Sequence, residues 1–497
     1  MILIIKGHNF HYEMENLCRV FFPYEKINTL AEMPQDISGQ TLCVTELIKN
    51  ETDTIVSADF DYSGKHYRAE CTVKNSCDDY EKTCERMMAH ALYEVLTKAC
   101  EYIPQWGILT GVRPIKLMRS LIESEGSVDK AKEYFRKDLL VSDEKINLAA
   151  ETEKNQEKIL SISKRDSFSL YISIPFCPTR CAYCSFVSQS VEKSVKLIPE
   201  YVKFLCKEIE ITAKIAKDLN LRLETIYFGG GTPTAISSEQ LTSIMSAIKD
   251  NFDLSFLHEY TIEAGRPDTI DMDKLYAMKQ YGVTRISINP QTLSDDVLQA
   301  IGRRHTAQQA IDAFNMARHA GFDNINMDLI AGLPLDTEQK FENTLDKILD
   351  LNPENITVHT LALKRSSNLT KSGEKLEAST SGKMLDIVSD ILPKYGYIPY
   401  YLYRQSRMVG NLENTGWSKS GFECLYNVFI MDETHTILSC GAGGVTKIKQ
   451  PDGPHIERIF NYKFPYEYNG RFEQLMERKG GIYRFYEKYG EASNKGN

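Results

Sequence analysis

Three cysteines lie within eight residues of the sequence, in the stretch IPFCPTRCAYCSF at positions 174–186. Cys177, Cys181 and Cys184 have the spacing C-x3-C-x2-C. Thiolates are preferred ligands of iron–sulfur clusters and of zinc. On a cubane cluster, three thiolates bind three irons and leave the fourth iron open for a substrate or cofactor. A zinc site with a remote fourth ligand, such as a histidine, has the same local spacing, so the spacing alone leaves both kinds of site open.

The cysteines follow the first of six segments that repeat a strand, a loop and a helix. Helical patterns fill the gaps, and one has apolar residues at steps of three and four from Ile198 to Ala216. Mostly apolar strands separated by helices favour a parallel sheet, which right-handed crossovers curl into a full or partial barrel. Loops that follow such strands form the active face, and the three cysteines lie on one of them. The strand candidates are SLYISIP (169–175), ETIYFGGG (224–231), EYTIEAG (259–265), RISINPQ (285–291), INMDLIAGLP (325–334) and NITVHTLAL (355–363).

The length of 497 residues predicts more than one domain. We expect an N-terminal α/β domain at 1–100, a helical connector at 101–165, the parallel core at 166–370 and a C-terminal α/β region that covers the substrate at 371–497. The segment WGILTGVRPIK contains Trp106, Arg113 and Lys116. It fits either a binding role or a tight interdomain turn.

The composition is that of a soluble globular protein, with 42% hydrophobic and 26% charged residues. A net charge of -9 argues against non-specific binding to nucleic acids or membrane surfaces, so an anionic substrate needs a local basic pocket. The N-terminus lacks the pattern of a secretory signal, and no apolar run reaches the length of a membrane span. We therefore expect a cytoplasmic protein with reduced cysteines and no nucleic-acid or membrane partner.

The middle of the chain resembles the radical SAM superfamily and, within it, the oxygen-independent coproporphyrinogen III dehydrogenase (HemN) family. In the cysteine motif, Tyr183 stands directly before the last cysteine, and Ser173 stands where the family has a histidine. The N-terminal extension with GILTGVRP and the later YYLYRQ and GNLEN are most similar to the HemZ branch. The other matching motifs are YISIPFC (171–177), GGGTPT (229–234), IEAGRPD (262–268), INPQTL (288–293) and DLIAGLP (328–334).

The resemblance implies a partial (β/α)6 barrel with one [4Fe–4S] cluster on the three cysteines and two molecules of S-adenosylmethionine. It implies oxidative decarboxylation of two propionates of coproporphyrinogen III, which gives protoporphyrinogen IX. The partners would be this tetrapyrrole and a cellular electron donor for the cluster. Three alternatives stay open: a haem chaperone of the HemW type, a radical methyltransferase that acts on haem, and a zinc protein.

Site residues follow from the matching positions. Glycines let the backbone approach a ligand closely, so the Gly229–Gly231 run suits the methionine ammonium, although a tight turn also explains it. By family position, Tyr171, Gly230 and Glu263 contact the first S-adenosylmethionine. Glu263 is also a candidate catalytic residue, with a structural ion pair as its alternative. The second S-adenosylmethionine is matched by Tyr183, Gly231, Thr232, Gln291, Arg303, Asp328 and Leu361.

The C-terminal region supplies further candidates. Gln405 is the second predicted catalytic residue, and a partly buried strand and turn is its alternative. The stretch CGAGGVTK is similar to the family's glycine stretch at the adenosine site, which assigns Gly441 and Gly443. Guanidinium groups suit the propionates of the substrate. The cationic candidates are Arg303, Lys364, Arg365, Arg404 and Arg407, of which the last four are better explained by surface salt bridges.

Overall fold

A computed structural model describes residues 1–34, 39–184, 186, 188–362, 378–405 and 408–490. These residues form two compact units. The first unit contains residues 1–150 together with the described parts of 375–382 and 403–413. The second contains 151–362, 383–402 and 414–490. No helix among the described residues has the length and hydropathy needed to cross a bilayer.

The first unit contains a five-stranded sheet with the order β2-β1-β3-β4-β5. Strand β1 is parallel to β2 and β3, whereas β3, β4 and β5 form antiparallel pairs. The helices His11–Phe21 and Tyr80–Cys100 share one hydrophobic core with this sheet, which contains Leu3, Met14 and Met88. The strands are β1 Ile2–Lys6, β2 Asn28–Leu30, β3 Leu42–Lys49, β4 Asp53–Tyr62 and β5 Lys65–Lys74.

The boundary predicted at residue 100 does not separate two compact units. Ile108 and Leu140 pack against the core of the N-terminal sheet, so residues 101–150 belong to the same unit. The buried Trp106 donates from Nε1 to Glu413 at 2.7 Å, and Lys145 donates to the same carboxylate at 2.7 Å. Trp106 therefore packs inside this unit. Three further helices follow the sheet: Pro114–Glu125, Val128–Lys137 and Asp143–Leu160.

The second unit contains the six predicted strands, all parallel and in the predicted order, which confirms the parallel core. They are β6 Ser167–Ile174, β9 Arg222–Gly230, β10 Glu259–Gly265, β11 Arg285–Gln291, β12 Ile325–Ala331 and β13 Asn355–Thr360. The short strands β7 Phe176–Cys177 and β8 Gln189–Ser190 form a separate pair. The longer helices between the strands are Ile198–Asp218, Ser238–Asn251, Met272–Gln280, Ala307–His319 and Glu338–Leu351.

Strands of the C-terminal region extend this sheet at both ends. Strand β15 pairs antiparallel with β13, and β14 lies beyond it. At the other end, β16 pairs parallel with β6, and β17 and β18 follow. The C-terminal region is thus part of the sheet. These strands are β14 Ile398–Tyr403, β15 Asn414–Ser418, β16 Thr436–Cys440, β17 Val445–Lys449 and β18 Ile456–Phe460.

The helix Leu425–Asp432 packs against the amino ends of the parallel strands. Glu259, the first residue of β10, accepts from the backbone N–H of Leu425 at 2.7 Å and of Tyr426 at 3.3 Å. The carboxylate thereby satisfies free N–H groups in the first turn of the helix. The ring of Tyr426 stacks on Tyr227 with centroids 4.5 Å apart and reaches Tyr171 at 6.1 Å. This helix therefore packs its first turn against the start of β10 and its Tyr426 ring against side chains of β6 and β9.

Candidate active site

The loop that holds the three cysteines is closed at its base. Strand β7 pairs with β8, which places Phe176 opposite Gln189 and Cys177 opposite Ser190. Within the loop, the N–H of Cys184 donates to the carbonyl of Cys181 at 3.2 Å. The cysteine loop, defined as the described residues between 177 and 190, thus places the three cysteines directly after β6, as the sequence predicted, and Cys184 interacts electrostatically with Cys181 and Cys177.

The thiols of this loop lie in a buried environment. Burial raises the pKa of Cys177, although the hydroxyl of Thr232, which donates to its sulfur at 3.5 Å, acts in the opposite direction. Burial also raises the pKa of Cys184, and the thiols of Cys181 and Cys177 add to this shift. Because metal ligands must be deprotonated, cluster binding here releases protons.

The described residues contain no group of three His, Cys, Asp or Glu side chains that converges on a single metal ion. A cubane cluster does not require such convergence, because each thiolate binds a different iron atom. Three thiols on one loop are the donor set that such a cluster takes. The cysteine loop therefore fits a cluster with three protein ligands.

The run Gly229–Gly231 lies at the carboxyl end of β9, against the end of β6 and Phe176. A Cβ on Gly229 would lie 3.1 Å from the Tyr171 hydroxyl and 3.2 Å from the Glu263 carboxylate. A Cβ on Gly231 would lie only 2.6 Å from the carbonyl of Phe176, and Gly230 has φ +105°. Side chains at these positions would crowd Tyr171, Glu263 and the backbone at Phe176. The run is therefore a close backbone approach as well as a turn.

Glu263 lies beside this glycine run at the end of β10. The hydroxyl of Tyr227 donates to its Oε1 at 2.6 Å. Burial raises the pKa of Glu263 to about 7, the bond from Tyr227 opposes this shift, and the charge of Asp328 adds to it. Glu263 forms no ion pair with the described residues, so the structural ion pair considered as its alternative role is not seen among them.

The substitution Glu263→Gln is expected to stabilise the cluster-free protein at pH 8. Since the pKa of the folded state, about 7, exceeds the ordinary value of 4.5, the protonated acid favours folding. That contribution is complete below pH 4.5 and is lost as the pH rises through 7. For a partly exposed side chain we expect the variant to gain about 2 kcal/mol at pH 8 and little at pH 5. Chemical denaturation at both pH values measures the difference.

The matched control is Glu210→Gln, which changes an exposed glutamate of the helix Ile198–Asp218. It should leave the free energy of unfolding unchanged at both pH values. A Glu263→Gln variant that is less stable than the wild type at pH 8, or whose difference does not depend on pH, contradicts the prediction.

Asp328 differs from Glu263 in its protonation. Burial acts to raise the pKa of Asp328, but interactions with His359 and Asn326 outweigh it and hold the pKa below the ordinary value. Nδ2 of Asn326 donates to the carboxylate at 2.6 Å, and Nε2 of His359 lies 3.6 Å from it. The barrel interior thus contains one carboxylate that stays ionised and one that titrates near neutral pH, an arrangement typical of acid–base assignments in active sites.

Gln291 and Arg303 lie at the next strand end. Gln291 has φ +71°, and its buried Oε1 has no hydrogen-bond partner. A strained residue with an unsatisfied polar atom at a strand end indicates a ligand site. The buried Arg303 donates to the carbonyls of Asn289 and Pro290 and lies beside Tyr183. The predicted set Tyr183, Gln291 and Arg303 is therefore clustered at the cysteine loop.

The C-terminal glycines lie against the back of β6. The hydroxyl of Ser173 donates to the carbonyl of Ala442 at 2.7 Å, so the serine at the family's histidine position holds this glycine loop. Gly441 has φ +97°, and a Cβ there would lie 2.4 Å from the carbonyl of Ser173. Gly443 donates to the carbonyl of Tyr462 at 2.8 Å. Leu361, predicted to contact the second S-adenosylmethionine, is buried and donates from its backbone N–H to the carbonyl of Ala331 at 3.0 Å.

Gln405 and Arg404 belong to the first unit, apart from the cysteine loop in the division of the chain. The side chain of Gln405 donates to the hydroxyl of Tyr403 at 3.4 Å. The surface salt bridge expected for Arg404 is wrong. Its guanidinium is buried, donates to the carbonyl of Leu109 at 2.6 Å and stacks on Trp106 at 5.3 Å. Lys364, Arg365 and Arg407 lie outside the described residues.

Arg266 and Tyr227, which lie outside the predicted set, contact the predicted site residues Cys181 and Glu263, and Asp268 supports Arg266. Arg266 approaches Cys181, and Asp268 binds the guanidinium of Arg266. Arg266 and Asp268 stand in IEAGRPD, a motif that resembles the family. The sequence signal that could have found these two residues is an arginine followed two positions later by an aspartate within this motif.

Comparison with known proteins decides the family. The Radical SAM superfamily profile matches residues 171–348. The oxygen-independent coproporphyrinogen-III oxidase-like protein HemZ of Bacillus subtilis (strain 168) is 36% identical over 485 residues, which cover 96% of this chain and 96% of that protein. The chain belongs to the HemZ branch of the radical SAM superfamily. The resemblance found in the sequence is thereby confirmed.

Two further proteins are similar to this HemZ-type chain. The heme chaperone HemW of Bacillus subtilis is 32% identical over 351 residues, which cover 65% of the chain and 87% of that protein. The solved structure of coproporphyrinogen III oxidase (HemN) from Escherichia coli matches with a TM-score of 0.51 and 22% identity, over 64% of the chain and 72% of that structure. The match to the HemN structure confirms the predicted α/β fold. Membership of the superfamily implies a [4Fe–4S] cluster and S-adenosylmethionine.

Proposed function

We propose that this HemZ-type chain catalyses the oxidative decarboxylation of two propionates of coproporphyrinogen III, which yields protoporphyrinogen IX. The observation that carries the proposal is that the match to the oxidase-like HemZ extends over 96% of the chain, including the first unit. The match to the heme chaperone extends over only 65%. We place the reaction in the cytoplasm, with a cellular electron donor as partner.

The residues of the second unit support this proposal. Cys177, Cys181 and Cys184 would hold the cluster, whose fourth iron stays free. When bound, the cluster and S-adenosylmethionine supply the radical that removes hydrogen from the substrate. The glycine run provides a backbone edge, and Glu263 a carboxylate, for the methionine ammonium. Because Glu263 has a pKa of about 7, a neighbouring ammonium favours its ionised form.

A second set of residues would accept further ligand groups. Gln291 offers an unsatisfied amide oxygen, and Asp328 an ionised carboxylate. Arg303 supplies a buried guanidinium that suits a carboxylate. We assign these residues, with Tyr183 and Thr232, to a second S-adenosylmethionine. We expect the C-terminal region to cover the substrate, and we assign Gln405 a catalytic role.

A haem chaperone is the second candidate, since heme chaperones named HemW are among the relatives of this chain. They match the part of the chain that contains the cysteine loop. A chaperone would bind haem stably and would not consume S-adenosylmethionine in proportion to any porphyrin product.

An anaerobic assay of the cluster-reconstituted protein tests the proposal. The assay contains coproporphyrinogen III, S-adenosylmethionine and a reductant, and porphyrins are separated by fluorescence chromatography after oxidation. We expect protoporphyrin together with 5'-deoxyadenosine in the wild type, and neither product in Cys184→Ala. The control Cys206→Ala changes a thiol on the helix Ile198–Asp218 and should retain both. Unchanged coproporphyrin beside a stable haem complex would contradict the proposal and favour the chaperone.

A further inference from the structure

Arg266 lies directly after β10 and is 3% exposed. A register shift in β10 between Glu263 and Gly265, with Gly265 at φ +54°, turns the chain at this point. Bulges of this kind re-aim side chains next to active sites. Glu263, before the shift, contacts Tyr227 in the barrel, whereas Arg266, after it, contacts the cysteine loop.

The guanidinium of Arg266 is fixed on all sides. Nε and Nη2 each donate to the carboxylate of Asp268 at 2.9 Å, which forms a bidentate pair. Nη1 donates to the hydroxyl of Thr179 at 2.9 Å and lies 3.9 Å from the sulfur of Cys181. The positively charged guanidinium of Arg266 is therefore held next to the sulfur of Cys181.

The groups around Cys181 carry a net positive charge. Arg303 is a second buried guanidinium beside this sulfur, and Asp268 is the carboxylate that pairs with Arg266. Burial, together with the charges of Arg303 and Arg266, lowers the pKa of His305 to about 4, so this imidazole is neutral at pH 7. The surroundings of Cys181 therefore contain two cations, Arg266 and Arg303, and one anion, Asp268. A cubane with three thiolates is negatively charged, and its reduction adds another negative charge.

We propose that Arg266 raises the reduction potential of the cluster held by the cysteine loop and thereby favours electron uptake from the donor. Hydrogen bonds and positive charge at the sulfur atoms stabilise the reduced form of an iron–sulfur cluster. Arg266 acts through Cys181 and is a positioning residue. The inference rests on the proposed ligation by Cys177, Cys181 and Cys184, but not on the identity of the tetrapyrrole.

Redox titration of the cluster-loaded, full-length protein, followed by EPR, tests this inference. In Arg266→Gln, the ratio of reduced to oxidised cluster at a fixed applied potential should fall about tenfold, which is a downward shift of about 59 mV for a one-electron couple. Iron and sulfide contents are measured in each sample so that only loaded protein is compared. Arg266→Lys keeps the charge and should retain most of the wild-type potential.

Two controls separate charge from anchoring. Arg304→Gln removes an exposed arginine next to Arg303 and should leave the potential unchanged. Thr179→Val removes the anchor of Arg266 on the loop but keeps its charge. A Thr179→Val shift as large as that of Arg266→Gln would show that loop anchoring sets the potential, and it would overturn the proposal.

Asp268→Asn provides a test in the opposite direction. Loss of the carboxylate leaves the guanidinium uncompensated, so the potential should rise. If Arg266→Gln does not assemble a cluster, the reduction potential of Asp268→Asn tests the proposal in its place. An unchanged or lowered potential in Asp268→Asn overturns the role of Arg266. A wild-type protein that forms no cluster would instead overturn the proposed cysteine ligation, so the two failures are distinguishable.

Discussion

Cys181→Ala is expected to abolish cluster assembly and the cleavage of S-adenosylmethionine while the fold is retained. Cys181 is buried at the centre of the cysteine loop, and Arg266 approaches its sulfur. Two remaining thiolates cannot provide the three ligands that leave a single open iron. Iron and sulfide analysis after reconstitution, the EPR spectrum of the reduced sample and the yield of 5'-deoxyadenosine measure the loss, which should exceed a hundredfold.

The fold should survive because the base of the loop does not depend on this side chain. The pairing of β7 with β8 and the backbone bond from Ala182 to the carbonyl of Ile301 do not involve the Cys181 sulfur. Circular dichroism of Cys181→Ala should match that of the wild type. Full cluster content and undiminished cleavage in this variant would refute the ligand assignment.

Lys479→Met is expected to lower the free energy of unfolding by about 3–5 kcal/mol. The side chains of Lys479 and Glu208 are 1% and 0% exposed and form an ion pair of 2.9 Å. Glu208 also accepts from the Tyr468 hydroxyl at 2.6 Å and from the N–H of Gly441 at 2.7 Å. Loss of the cation leaves a buried carboxylate uncompensated. Because that carboxylate anchors Gly441, binding of S-adenosylmethionine should weaken as well.

Chemical denaturation of the cluster-free protein measures this effect. The double variant Glu208→Gln with Lys479→Met should recover part of the lost stability, because no charge then remains buried. Lys214→Met is the matched control, since Lys214 and Asp218 form an exposed pair on the same helix as Glu208. It should produce no measurable change. A Lys479→Met variant as stable as this control would show that the ion pair does not stabilise the fold.

The parallel core was predictable because its residues follow a simple pattern. Strands β10 and β11 have the bounds expected from the runs EYTIEAG and RISINPQ, in which apolar residues alternate with other residues, Tyr260 and Ile262 in the first and Ile286 and Ile288 in the second. The three cysteines are local in sequence, so one turn of the loop brings them together. Hydrophobic periodicity and short spacing involve only residues that are close in sequence, so they predict local structure without knowledge of distant contacts.

Features that depend on distant residues were not predictable in this way. The protonation of Glu263 depends on burial and on Tyr227 and Asp328, which come from other strands. Arg404 follows a strand and stands among polar residues, which is typical of a surface position, yet Trp106 and Leu109 from the first unit enclose it. Arg266 approaches Cys181 directly after a register shift in β10. Sequence spacing does not encode these contacts.

The position of β6 has a consequence for synthesis of the protein. On the side opposite β9, β6 pairs with β16, and the hydroxyl of Ser173 bonds to Ala442, 269 residues further along the chain. While the ribosome is still translating the core, this side of β6 is an unpaired edge. The strand that leads into the cysteine loop therefore gains its second partner only after β16, Thr436–Cys440, has emerged. Until β16 has been made, the edge of β6 has no strand partner on this side, so we expect the site beside the cysteine loop to reach its final form only after β16 has been translated.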